Sequence, residues 1–153
     1  MVRPSAFFKY VDERLRSEAA LSVSWSDDQL TCTIEKSDKT GFDIVIAHDP
    51  DNAILLLGTD CGYHDHFHLD TFDSEATGFE SLLGIVRDLL SPTMRILEVK
   101  AGGKARKWEL QSLVNDRWHT EGTTGLLLWN PLAKRTEIVH ANNTLAARDR
   151  SDA

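Results

Sequence analysis

The chain has 153 residues, of which 41% are apolar and 27% charged, and it carries a formal net charge of −7. That length fits one domain with a hydrophobic core of its own, and no run approaches the roughly 20 apolar residues that a membrane helix needs. Two cysteines, Cys32 and Cys61, are too few for a disulfide scaffold or a zinc knuckle.

The charge is unevenly spread. Residues 1–80 hold 6 Lys/Arg against 16 Asp/Glu, and residues 81–153 hold 11 against 8. An acidic first half argues against general phosphate-backbone binding, so no nucleic-acid partner is expected. The basic cluster Lys100, Lys104, Arg106 and Lys107 reads as a solvated hairpin tip whose charges guard a strand end. The first residues, MVRPSAFFKYVDERLR, lack the apolar run of a signal peptide, which makes the cytoplasm the expected location.

Ser5 to about Ala20 is expected to form a first helix, with Phe7, Val11 and Leu15 on one face. Phe8 and Tyr10 widen its apolar side, enough to suggest docking on the sheet or on a partner. Alternating segments follow. Leu21, Val23 and Trp25 point one way, Asp27-Asp28 turn the chain, and Leu30, Cys32 and Ile34 return. After a turn at Ser37–Gly41, residues Phe42, Ile44 and Ile46 form a third strand. His48 to Asn52 has the composition of a loop, and Ala53 to Leu57 that of a strand covered on both faces.

The strongest helix signal is Ser74 to Leu90. Phe79, Leu82, Leu83, Val86, Leu89 and Leu90 make one apolar stripe, Ser74 can cap it, Glu75 suits the positive end of its dipole, and Pro92 stops it. Beyond it, Met94–Lys100 and Ala105–Val114 flank a glycine turn, and Asn115–Arg117 turns again before Trp118. Leu126–Trp129 and Thr136–His140 are expected to close the chain as a hairpin around Pro131, and 142–153 to be a polar, frayed tail after a domain at 1–141. Trp25, Trp108, Trp118 and Trp129 all fall in strand-like segments, where packing on a sheet is their expected role. The fold class is therefore α+β, in the order α-ββββ(β)-α-ββββ, mostly antiparallel, with the 74–90 helix packed on the sheet.

One constellation could carry chemistry, the stretch from Gly58 to Asp70. If 63–70 is a strand, period two puts His64, His66, His68 and Asp70 on one face, each step about 6.5–7 Å along it. Imidazole and carboxylate suit zinc or another divalent transition metal. The plainer account is a solvent-facing strand whose polar side consists of histidines. Hydrolase, metalloprotease and phosphate-loop motifs are absent, and Cys61 between Asp60 and Gly62 has no cation to make it a nucleophile.

The spacing of Gly58, His64, His66 and Asp70 resembles the first motif of the cupins, and Gly125 with Pro131 their second. It departs from them where Gly78 falls one residue late, Ala133 replaces a glycine, and a long helix separates the halves. Trp108-Glu109-Leu110-Gln111, Trp118, Thr123 to Trp129 with Pro131, and Arg135 resemble a family of small bacterial α+β proteins that carries no assigned activity. The element order is also loosely similar to acidic secretion chaperones and to toxin-immunity proteins, which bind other proteins. That similarity implies a non-catalytic domain without a cofactor, acting on a protein partner or a second copy. The alternative is a metal-binding protein or metal-dependent enzyme using His64, His66, His68 and Asp70.

Overall fold

The computed structural model describes residues 5–49, 63–125 and 130–146, and the backbone of 52–57. The protein is α+β, with two helices and two antiparallel sheets. In chain order the elements are α1 (Ala6–Arg16), β1 (Ser22–Trp25), β2 (Thr31–Glu35), β3 (Ile44–Asp49), β4 (Asn52–Leu57), β5 (Tyr63–His68), a 3-10 turn (Leu69–Thr71), α2 (Glu75–Leu90), β6 (Met94–Ala101), β7 (Lys104–Val114), β8 (Arg117–Gly125) and β9 (Arg135–His140). The first sheet is the meander β1-β2-β3-β4-β5, and the second runs β8-β7-β6-β9.

The helices start and stop where the chemistry says they should. The Ser5 hydroxyl accepts from the Phe8 N–H and the Ser74 hydroxyl from the Thr77 N–H, so each helix has one orphan donor satisfied by its cap. All six apolar positions of the α2 stripe are buried, in one cluster with Phe7, Val11 and Leu15 of α1. Ile34, Ile44 and Ile46 from the first sheet and Ile96 and Leu110 from the second belong to the same cluster, so one core serves both sheets. Phe7 is 1% exposed, Phe8 lies edge-on to Trp25, and Tyr10 packs on Phe79 while donating to Glu80. The aromatic side of α1 is thus used inside the chain.

Two hairpin turns follow from their residues. Gly102 and Gly103 have φ of 61° and 76°, and Asn115 and Asp116 of 49° and 59°, the positive values that a tight two-residue turn between β-strands requires.

Three expectations are corrected, and a fourth falls in part outside the described residues. The segment from His48 to Asn52 is not all loop, because β3 runs through Asp49, β4 begins at Asn52, and those two residues pair. The strand at 63 ends with His68, and Asp70 sits in the 3-10 turn. The other arm of the expected hairpin around Pro131, Leu126–Trp129, lies outside the described residues, and among the described strands β9 pairs antiparallel with β6, on the far side of the sheet from β8. Period-two alternation marks a strand but not its partner, so local sequence favoured the nearer pairing. Finally, residues 141–145, at the start of the expected tail, are tied down, while 147–153 lie outside the described residues. Asn142 is 1% exposed, its Oδ1 accepts from the Phe42 N–H at 3.1 Å, and its Nδ2 donates to the Phe42 carbonyl at 3.0 Å. The Thr144 and Leu145 N–H groups both donate to the Leu90 carbonyl, one of those left open at the end of α2.

Candidate functional site

Cross-strand partners share a face, so the first sheet can be read residue by residue. Ile44 and Ile46 are buried on its inner face, and the register carries that face through β4 to Tyr63. Tyr63 is 6% exposed and reaches Gly122 of β8, where a Cβ would collide with its hydroxyl; burial raises its pKa. Phe67, on the same side, stacks on Phe72 with ring centroids 5.3 Å apart. These two aromatic residues anchor β5.

His64, His66 and His68 take the opposite, outer face, and all three are exposed. The rings of His64 and His66 approach to 5.7 Å between centroids at an interplanar angle of 82°. Both residues sit on backbone held in register with β4, at Leu56 and Ile54. His68 is the last residue of the strand, and its carbonyl accepts from the Thr71 hydroxyl at 2.7 Å. Asp70 follows in the turn, exposed, so the proposed four-residue face reduces to a close pair of rings, His68 at the strand end, and a carboxylate past it. Among the described residues no three of His, Cys, Asp and Glu come together to hold a metal ion. Gly58 to Gly62, including Asp60 and Cys61, lie outside the described residues. Cys32 is buried with its thiol pKa pushed up to about 12 by desolvation, which leaves it inert.

The basic hairpin is more paired than its sequence suggests. Lys107 meets Glu109 at 2.5 Å and Lys100 lies 3.7 Å from Glu98, whose carboxylate also bonds His140 Nε2 at 2.8 Å. The Lys107 contact is the main reason the Glu109 carboxyl titrates below its ordinary value. Among the described residues, Arg106 Nε and Trp108 Nε1 are buried without a hydrogen-bond partner. On the outer face of this sheet Arg95 lies 3.9 Å over the Trp118 ring and donates to Gln111 at 2.8 Å. Trp25 Nε1 donates to Asp12, so the three described tryptophans all work as packing residues.

The strand expected at Thr136–His140 is present as β9; what sequence reasoning missed is its place beside β6, at the edge of the described sheet. Arg135 to Val139 are all exposed, with Ile138 at 38% and Val139 at 44%. The Gly102 N–H donates to the Lys134 carbonyl, which places that pair in hydrogen-bonding register with β6. Alternation along an antiparallel ladder then turns the even-numbered residues of β9 toward β6 and the odd-numbered ones away from it. Ala141 obeys this parity, since its N–H donates outward to the Thr40 carbonyl at 2.9 Å. The backbone groups of Arg135, Glu137 and Val139 therefore line the outward edge, and among the described strands only β6 pairs with β9. Two adjacent β-branched residues within a short strand were the one available signal.

No helix among the described residues is long and apolar enough to cross a membrane. Comparison with protein-family models, with curated proteins and with solved structures finds no match for the chain.

Proposed function

We propose that this chain is a non-catalytic, cytoplasmic binding domain for another protein chain, with α2 laid on the inner faces of both sheets and β9 as the edge that accepts an extended segment. The observation that carries this reading is the outward row of backbone donors and acceptors at Glu137 and Val139, bordered by the exposed side chains of Ile138 and Val139. Adding a strand to such an edge gains main-chain hydrogen bonds, with side-chain contacts supplying specificity. Edges of this kind are commonly blunted by proline, a bulge or lysine. The register between β6 and β9 is unbroken and β9 contains neither proline nor lysine.

The occupant that β9 itself favours is a second copy of the chain. Two β9 strands set antiparallel about Ile138 place the outward backbone groups of Glu137 of one copy opposite those of Val139 of the other, twice over. The overlap is short, so the association is weak, with a Kd on the order of 100 µM.

Sedimentation velocity between about 10 and about 500 µM tests the proposal at concentrations that bracket this Kd. The wild type should shift reversibly toward a dimer. Val139→Pro removes an outward N–H at a position where an edge strand tolerates proline, and it should stay folded and monomeric. A monomeric wild type at the upper concentration, or equal association of the variant, would overturn the reading.

A further inference from the structure

We infer that His64 and His66 form a two-imidazole chelate for a divalent transition metal, a site on the first sheet and independent of the β9 edge. The two residues stand at alternate positions of β5, on its outer face, exposed and held by the β4 ladder. In a tetrahedral complex with metal–nitrogen bonds of about 2.0–2.1 Å, each ring centre lies about 3.2 Å from the metal, and two such centres about 5.2 Å apart. The rings of His64 and His66 are 5.7 Å apart, so a small side-chain rotation closes the chelate without moving the backbone. Their near-perpendicular planes are no obstacle, because only the nitrogen lone pairs must converge on the ion.

The neighbouring carboxylates do not join the pair. Asp65 lies between the two histidines but projects to the other side of the strand, and its carboxylate accepts from the His66 backbone N–H at 2.8 Å. Asp70 is displaced from the face by the 3-10 turn. The chain thus supplies two nitrogen donors, and the remaining coordination positions go to water or to a donor from another molecule. A site of this kind binds imidazole-seeking ions, following the order Ni²⁺ below Cu²⁺ and Cu²⁺ above Zn²⁺.

Calorimetric titration of untagged protein with Ni²⁺ and Zn²⁺ in a non-coordinating buffer measures the affinity directly. One ion per chain is expected, with a Kd on the order of 10 µM for Ni²⁺. The Cu²⁺ form should show an electron paramagnetic resonance pattern of two nitrogen donors from the chain. His64→Gln and His66→Gln should each weaken binding at least tenfold, while His68→Gln changes it less than threefold. These positions are exposed, so the variants should fold as the wild type does, which circular dichroism verifies. Absence of binding at about 200 µM metal, roughly twenty times the expected Kd, would overturn the inference. So would unchanged binding in the His64→Gln, His66→Gln double variant, or a loss in His68→Gln as large as in the other two.

Discussion

The two edge strands β5 and β9 have the same length and the same kind of position, each pairing with one neighbour among the described strands, yet they are built differently. β5 is pinned from inside by Tyr63 and Phe67 and shows the solvent a row of imidazoles. β9 has no buried side chain along its length, its last residue His140 being half-buried, and presents Ile138 and Val139 on either face. At β5 the available chemistry lies in side chains; at β9 it lies in the backbone. An edge held by its own core residues can carry ligands at fixed spacing. An edge held only by its ladder is suited to taking another strand.

The contrast can be broken most sharply through the anchors. Tyr63→Ala should cost about 3 kcal/mol, because a large buried ring is lost between β5 and Gly122 of β8. Ile138→Ala should change stability by less than about 0.5 kcal/mol. Chemical denaturation of both variants checks the pair, and equal losses would mean that the two edges are anchored alike.

A smaller effect is expected where β9 hands over to the first sheet. Asn142→Ala leaves the Phe42 N–H and carbonyl without the side-chain partner that now serves both. A loss of about 2 kcal/mol is expected in the same denaturation experiment. An unchanged midpoint would show that the segment after β9 does not fasten the two sheets.

The smallest effect concerns the inner face of the first sheet. His48 stacks on Phe7 with centroids 4.2 Å apart, and burial lowers its pKa from the ordinary 6.5, against the opposing pull of Asp49 and Glu75. A folded-state pKa below the unfolded one means that the unfolded chain binds the proton more readily. Stability is therefore full above about pH 6.5 and declines as pH falls through that value toward the folded pKa. The melting temperature should drop between pH 7 and pH 5, and by less in His48→Gln. An equal drop in the variant would remove His48 as the cause.

How much of this was legible in the sequence depends on whether the forces involved are local. The α2 helix was readable because its cap, its stripe and its stop lie within twenty residues, and each of the six stripe residues is buried. The hairpin turns at Gly102-Gly103 and Asn115-Asp116 were readable for the same reason. The inward and outward alternation of β5 was also visible, through Tyr63 and His64 to His68, but the 3-10 turn that removes Asp70 was not. What stayed hidden depends on distant contacts. The pairing of β9 with β6 joins residues about forty apart, and Asn142 is buried by Phe42, one hundred positions away. The aromatic side of α1 suggested an external partner only because Trp25 and Phe79, which cover it, could not be placed beside it.

The central proposal is that a second copy pairs with the outward backbone edge of β9, which no described strand occupies, and amide hydrogen exchange resolved by residue tests it most directly. At low protein concentration the Glu137 and Val139 amides should exchange fast while Ile138, bonded toward β6, exchanges slowly. As the concentration rises into the range where the chain associates, Glu137 and Val139 should slow and Ile138 should remain as it was. Association without any slowing at Glu137 and Val139 would place the interface elsewhere and contradict the account.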